Sequence, residues 1–235
     1  MATILGRTTH PQQKRPLKAL FFGPPGSGKT ELGSTAPAPL ILDFEDGTMT
    51  IRDKAVDVFQ PRKWSDVVDA YQTLATGGHT WESFVVDTVS MMQEISSWDT
   101  PLLGDFQAGK DPRNSYGRIS ATMKDMLWKF ALLPMNVIFL AQMRIEDGPD
   151  DKTKPEEGTF PLIPEVSPAI LKVLTAAPDV IGRTFVRPAP GGKPIYGVSF
   201  GPDSRSLVKQ RALGLPAEVS NLTIPKLIER IGGNK

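Results

Sequence analysis

The sequence predicts an α/β fold in which helices flank a mainly parallel, twisted sheet and antiparallel strands extend that sheet near the C-terminus. Three observations predict it. A glycine-rich loop follows the first apolar run, two later apolar runs end in carboxylates, and segments with helical spacing separate the runs. This alternation is typical of a parallel sheet, because each parallel connection needs a crossover.

The first strand and the loop after it carry the most specific motif. Leu17–Thr30 reads LKALFFGPPGSGKT and fits the P-loop pattern G-x-x-x-x-G-K-[ST]. Glycines let the backbone approach phosphate oxygens, Lys29 reaches the β- and γ-phosphates, and the Thr30 hydroxyl ligates Mg²⁺. The residues predicted to bind ATP are Gly23, Pro24, Pro25, Gly26, Ser27, Gly28, Lys29 and Thr30.

Composition limits the remaining possibilities. The 235 residues, 40% of them hydrophobic, suit one globular core, which we place at 17–235 behind a basic N-terminal arm at 1–16. A net charge of +1 excludes a uniformly basic nucleic-acid binder but not a local basic face. Because the chain has no cysteine, it forms neither disulfides nor thiolate metal sites.

The second apolar run ends in acidic residues. Pro37 and Pro39 limit the helix after the P-loop to about Ala36, and the strand Leu40–Leu42 follows, leading into Asp43-Phe44-Glu45. Ligands of an open α/β sheet bind at the carboxyl ends of its strands. Glu45 is therefore either a general base that orients water near the γ-phosphate or an acidic cap on the next turn.

A third apolar run also ends in an aspartate. A strand at Val56–Gln60 and a helix at Trp64–Ala75 are predicted first, from their alternating and helical spacing. The strand beginning at Ser83 then ends in Asp87, which in P-loop NTPases is the position that supports Mg²⁺. Thr88 either hydrogen-bonds a metal-bound water or caps the helix that follows.

Two helices separated by a loop are predicted in the middle of the chain. Helices are expected at Met91–Trp98 and Ser115–Leu133, with a proline- and glycine-rich surface loop at Thr100–Asn114 between them. The strand Asn136–Ala141 follows and ends at Gln142, where a γ-phosphate sensor is expected.

The last third is predicted to contain a long loop, a helix and several strands. Ile145–Pro164 has no apolar periodicity and reads as a loop, and Ser167–Ala176 reads as a helix. Antiparallel strands are expected, and a short terminal helix follows them. The strands are Asp179–Val186, Tyr196–Phe200 and Ser206–Arg211, and the helix is Thr223–Ile231.

The order of these motifs resembles the ATPase core of RecA-type recombinases. The resemblance rests on the P-loop, Asp43-Phe44-Glu45, Val85–Thr88 and Phe139–Arg144, and it spans about Leu17 to Arg211. The short length and the lack of flanking DNA-binding domains are most similar to the core-only RecA-like proteins of bacteriophages, the single-strand annealing recombinases of the Sak-four type.

The resemblance implies roles for individual residues. Glu45 would activate water, Asp87 would support Mg²⁺, and Gln142 would sense the γ-phosphate and signal to the loop after it. Lys209 and Arg211 would reach across a subunit interface to the ATP of a neighbour, unless they form an ordinary solvated strand end.

The resemblance also implies partners. Loops at about Met143–Pro164 and Leu102–Arg118 would face single-stranded DNA inside a head-to-tail filament or ring of this chain. The side chains expected to contact DNA are Arg113, Arg118, Arg144, Lys152 and Lys154. A single-strand DNA-binding protein is a further expected partner, and the expected location is the cytoplasm of a bacterial host if a phage encodes the chain.

These expectations describe a DNA-stimulated ATPase that recombines or anneals single strands. Two alternatives remain open from the sequence. One is another phage P-loop ATPase, such as a helicase, a loader or a packaging-type motor. The other is a nucleotide-gated module that binds single-stranded DNA with negligible turnover.

Overall fold

The computed structural model describes residues 15–98, 112–146, 162–189, 191–201, 206–211 and 214–232, with only the backbone described at 98 and 112–116. Most of the predicted arm, much of both predicted DNA-facing loops, and Lys152 and Lys154 lie outside these ranges, as does the side chain of Arg113.

Five parallel strands form the centre of the sheet. They are β1 (Lys18–Gly23), β2 (Pro39–Asp43), β3 (Asp57–Phe59), β4 (Ser83–Asp87) and β5 (Asn136–Ile145), in the spatial order β1-β5-β4-β2-β3. Because β1, β2 and β4 are covered on both faces, they read as continuous apolar runs in the sequence. The strand with Gln142 lies between the P-loop strand and the strand with Asp87.

Four of the later strands extend the sheet on the other side of β1, and one pairs with the end of β5. The strand that pairs with β5 is β6 (Leu162–Pro164), and the other four are β7 (Val180–Arg187), β8 (Ile195–Ser199), β9 (Lys209–Gln210) and β10 (Glu218–Ser220). Strands β7, β8 and β10 continue the sheet in that order, and β9 pairs with the start of β7. The predicted antiparallel extension is confirmed, although β7 itself runs parallel to β1.

Strand β5 is longer than the sequence predicted. Antiparallel β6 pairs with Met143–Ile145, so β5 continues beyond Gln142 into the segment we expected to be loop. The loop prediction is also wrong at its other end, because β6 occupies Leu162–Pro164. Residues 147–161 of the predicted loop are outside the described part of the chain.

Six α-helices and one 3-10 turn lie between or after the described strands. The helices are α1 (Lys29–Ser34), α2 (Trp64–Thr76), α3 (Val89–Trp98), α4 (Pro112–Leu132), α5 (Pro168–Ala176) and α6 (Ile224–Gly232), and the 3-10 turn is Thr48–Ile51. Helix α4 begins inside the predicted loop Thr100–Asn114, because Pro112 is well suited to the first turn of a helix. Helix α1 ends two residues earlier than predicted, where the Thr35 hydroxyl donates to the Leu32 carbonyl at 2.6 Å.

The helices bury two separate apolar cores against the two faces of the sheet. Helices α2 to α5 pack on one face, around Phe84, Phe130 and Phe139. Helices α1 and α6 pack on the other face, around Phe21 and Leu140. Helix α1, which follows the P-loop, therefore lies on the face that fewer of the described helices cover. Within the ranges described, no helix combines the length and apolar character needed to cross a membrane.

Candidate nucleotide hydrolysis site

The P-loop is held in place by a contact with β7. A Cβ atom on Gly23 would lie 2.0 Å from Oγ1 of Thr184, so only glycine fits where the loop leaves β1. The Ser27 hydroxyl donates to the Pro24 carbonyl at 2.7 Å and lies 2.7 Å from the same Thr184 oxygen. Gly28, with φ of +83°, then allows the turn into α1. The loop is thus fixed both to itself and to the sheet.

Lys29 lies at the centre of the site. It is 7% exposed, and its Nζ donates to the carbonyls of Gly23 at 2.9 Å and Pro24 at 3.0 Å. A third bond, of 3.1 Å, goes to Oε1 of Gln142. Burial lowers the pKa of Lys29, while the charges of Glu45 and Asp87 oppose that shift. The ammonium group is therefore oriented between the loop and the tip of β5.

Asp87 and Thr30 form a pair suited to magnesium. The Thr30 hydroxyl donates to Oδ2 of Asp87 at 2.6 Å, and Asp87 is 3% exposed. Burial raises the pKa of Asp87 to about 6, although the hydrogen bond from Thr30 acts in the opposite direction. Mg²⁺ is usually held by one or two carboxylates together with phosphates and waters, and this hydroxyl and carboxylate fit such a site. In the described part of the chain, no group of three or more His, Cys, Asp or Glu side chains could hold a metal ion.

Gln142 joins Lys29 to Glu45. Its Nε2 donates to both carboxylate oxygens of Glu45 at 3.0 Å, while its Oε1 accepts the bond from Lys29. The backbone N–H of Gln142 donates to the Ser90 hydroxyl at 3.0 Å, which fixes the tip of β5 against α3. The three residues proposed from sequence for phosphate binding, water activation and sensing thus form one hydrogen-bonded chain.

Thr88 extends this series of hydrogen-bonded side chains. Its hydroxyl donates to Oε1 of Glu45 at 2.6 Å and accepts from the backbone N–H of Met91 at 3.3 Å. Thr88 therefore caps α3, one of the two alternatives left open by the sequence, and also orients Glu45.

Asp43 has a role that the sequence analysis missed. It is 2% exposed, and its Oδ1 accepts from the backbone N–H groups of Glu45 at 3.0 Å and Gly47 at 3.3 Å. The cap on the turn after β2 is therefore Asp43, and Glu45 points to Gln142. The sequence did contain a signal, because an aspartate side chain at a strand end commonly accepts a hydrogen bond from the backbone N–H two residues later.

Lys209 and Arg211 lie away from the P-loop of their own chain. Lys209 donates to the carbonyls of Thr175 at 2.6 Å and Ala176 at 3.2 Å, and Arg211 donates to Ala176 at 2.9 Å. Both cations thus stabilise the C-terminal end of α5. Because β9 pairs with the start of β7, they lie at the opposite end of the sheet from the P-loop. Their action on the ATP of a neighbour remains a prediction.

Two of the residues predicted to bind DNA have described side chains. Arg118 is exposed on α4, and Arg144 lies on β5 two residues beyond Gln142, hence on the same face of the strand. The Nε of Arg144 is buried without a hydrogen bond. These side chains lie on different elements, and DNA contact remains a prediction for both.

The site belongs to a region that matches a known family. The family model described as an AAA domain matches residues 15–212, a span that includes every residue of the site from Gly23 to Gln142. No curated protein matches the chain.

Proposed function

The chain belongs to the AAA domain family, and from this premise we propose that its P-loop ATPase domain hydrolyses Mg²⁺-ATP at a subunit interface to drive recombination or annealing of single-stranded DNA. The family supports nucleotide hydrolysis in general. The proposed action on single-stranded DNA rests on the arrangement around Gln142.

The observation that carries the proposal is the position of Gln142. One end of its side chain accepts from Lys29 and the other donates to Glu45, so it touches both the phosphate-binding cation and the candidate base. The same strand continues to Ile145 and pairs with β6, and residues 147–161 connect these two strands. A change in the contacts of Gln142 when the γ-phosphate is lost can therefore be transmitted along β5 to residues 147–161.

Hydrolysis would use residues already in contact. Lys29 and the loop N–H groups would bind the phosphates, and a Mg²⁺ ion held by Thr30 and Asp87 would neutralise charge on them. Glu45, oriented by Thr88 and Gln142, would accept a hydrogen bond from the attacking water and align it. Burial of Lys29 and Asp87 strengthens the electrostatic contacts that these two side chains would make.

Single-stranded DNA would lie on the face reached by the β5–β6 connection. Arg144 is the described cation nearest in sequence to the sensor, and its buried Nε lacks a hydrogen-bond partner. Arg113, Arg118, Lys152 and Lys154 would add phosphate contacts. Lys209 and Arg211 would complete the active site of a neighbouring subunit, which requires a head-to-tail assembly.

The test is ATP hydrolysis by the purified protein with and without single-stranded DNA. Lys29→Ala serves as the inactive control. Lys63→Ala, at an exposed lysine preceding α2, serves as the matched control for loss of a lysine. We expect hydrolysis that DNA stimulates, that Lys29→Ala abolishes and that Lys63→Ala retains. Turnover indifferent to DNA would contradict the recombinase proposal and favour another P-loop motor, which unwinding or translocation would identify.

A second variant tests whether turnover matters. Glu45→Gln keeps the hydrogen-bonding shape of the side chain but removes its charge. Loss of hydrolysis together with loss of annealing would support the enzyme. Annealing that is unchanged, with no hydrolysis in either protein, would instead identify a nucleotide-gated binding module.

A further inference from the structure

Tyr196 lies beside the P-loop and takes no part in the contacts of the hydrolytic residues. We propose that its aromatic ring is the platform on which the base of the nucleotide stacks when the phosphates occupy the P-loop. This inference rests on the proposed nucleotide-binding function and identifies the part of the same site that holds the nucleoside.

The ring of Tyr196 packs directly against the last glycine of the P-loop. A Cβ atom on Gly28 would lie 3.0 Å from Cδ1 of Tyr196 and 3.6 Å from its Cγ. The main chain of Tyr196 is fixed in β8, where its carbonyl also accepts from the N–H of Asn221 at 2.8 Å. The side chain is nevertheless 42% exposed, which leaves part of its surface available to a ligand.

The strand next to this ring presents an exposed apolar side chain and also contacts the P-loop. Val186 is the partner of Tyr196 across the β7–β8 pair, so both side chains are on one face, and Val186 is 43% exposed. Thr184, two residues earlier on the same face of β7, bonds to Ser27 of the loop. An aromatic and a branched apolar side chain next to polar phosphate-binding groups form the mixture typical of a ligand site.

The geometry of the site determines where the nucleoside must lie. Asp87 and Gln142 are on β4 and β5, and Glu45 follows β2. All three strands lie on one side of β1, so the terminal phosphate faces that side. The nucleoside is at the other end of the polyphosphate chain. It therefore leaves the loop towards the opposite side of β1, where β7 and β8 lie and where Tyr196 contacts Gly28.

A stacking platform has a recognisable binding profile. Stacking of a base on an aromatic ring depends on the π-face that every base has, so it contributes affinity without strict selection of one base. Loss of the ring should weaken ATP and GTP to a similar degree. Inorganic tripolyphosphate carries no base, and its binding should not depend on the ring.

The experiment compares ATP with inorganic tripolyphosphate by titration calorimetry on the full chain in the presence of Mg²⁺. We expect Tyr196→Ala to weaken ATP binding about 5- to 150-fold, the range measured for loss of a base–aromatic stack. Tripolyphosphate binding should change by less than about twofold, since the P-loop residues remain. Tyr196→Phe should retain ATP affinity because it keeps the ring.

Two further variants control for folding and for aromatic loss in general. Tyr196→Leu keeps apolar volume without a ring and should lose ATP affinity as Tyr196→Ala does. Trp128→Ala removes an aromatic side chain that is 43% exposed on α4, on the opposite face of the sheet, and should bind ATP normally. The unfolding temperature of each variant shows whether it is folded.

The outcomes separate this inference from the proposed function. Equal loss of ATP and tripolyphosphate binding would show that the ring only shapes the P-loop, and unchanged ATP binding would show that it does not touch the base. Either result would contradict the stacking role of Tyr196 and leave the proposed function intact, provided that Lys29→Ala abolishes ATP binding. If the unaltered protein binds neither ligand, or if Lys29→Ala binds ATP normally, the proposed function fails as well.

Discussion

The side-chain amide of Gln142 lies 3.0 Å from both carboxylate oxygens of Glu45. Gln142→Ala removes this contact and the one to Lys29, so we expect kcat for ATP to fall about 10- to 100-fold, the effect typical for loss of a side chain that orients a functional group. ATP affinity should change little, because the P-loop is intact. Steady-state kinetics and ATP titration separate the two effects, and Gln72→Ala, at an exposed position on α2, is the control. A loss of affinity with unchanged kcat would contradict the sensor assignment.

Gly23 and Gly117 should respond in opposite ways to alanine. A Cβ on Gly23 would collide with Thr184, whereas a Cβ on Gly117, in α4, would meet nothing within 4 Å. We expect Gly23→Ala to destabilise the fold by about 1–3 kcal/mol. Gly117→Ala should stabilise it by about 0.5–1 kcal/mol, because alanine is the better helix former. Urea unfolding measures both, and a neutral Gly23→Ala would disprove the close approach of β7.

Asp87→Asn should make the protein more stable and less active. Burial raises the pKa of Asp87 to about 6, so the native state binds more protons than the unfolded state between pH 4 and 6. Its stability therefore falls as pH rises through that range and stays lower above it. Asparagine carries no charge and so avoids the free-energy cost of burying one. The unfolding free energy at pH 8 should therefore rise by at most about 3 kcal/mol. Hydrolysis should be lost, and no gain in stability would contradict the buried charge.

Lys18 should make stability depend on pH in the alkaline range. Burial lowers its pKa to about 8, although Nζ donates to the carbonyls of Leu133 at 2.6 Å and Met135 at 2.7 Å. Between pH 8 and 10.5 the unfolded chain binds more protons, so stability should increase with pH across this window. The gain should be about 1–2 kcal/mol after solvent screening.

Denaturation midpoints from pH 7 to pH 10.5 test this dependence on Lys18. Lys18→Met should remove the component that depends on pH, whereas Lys172→Met, at an exposed lysine on α5, should keep it. Parallel curves for Lys18→Met and the unaltered protein would contradict the assignment.

Subunit mixing tests whether Lys209 and Arg211 act on a neighbour. The double variant Lys209→Ala/Arg211→Ala has an intact P-loop, and Lys29→Ala has intact Lys209 and Arg211. If these residues act in trans, an equal mixture should regain activity at about a quarter of its interfaces. At those interfaces the double variant supplies the intact P-loop and Lys29→Ala supplies intact Lys209 and Arg211. An inactive mixture would indicate that both residues only stabilise α5, to which they are hydrogen-bonded.

The sequence predicted the parts of the site that depend on strand ends. Glu45, Asp87 and Gln142 each follow an apolar run, and parallel strands bring their carboxyl ends to one edge of the sheet. Their common location at this edge follows from that rule without knowledge of side-chain positions. The α/β class with its antiparallel extension was predicted on the same basis and is confirmed.

The features that the sequence did not predict depend on distant or very short segments. Ser27 and Thr184 are 157 positions apart, and no local pattern links them. Strand β10 has only three residues, too few for a periodic signal. The extension of β5 was missed because Met143–Ile145 becomes strand only by pairing with β6, after a long intervening segment.

The insertion of β5 between β1 and β4 also makes the site sensitive to chain length. Gly23 is level with Gln142 in the β1–β5 pair, and Asp87 is level with Leu140 in the β4–β5 pair. Side chains alternate between the two faces of a strand, so a shift by one residue would turn Gln142 away and bring Met143 to the P-loop side. A single-codon deletion between Asn136 and Ala141 would therefore abolish hydrolysis although every site residue is still encoded.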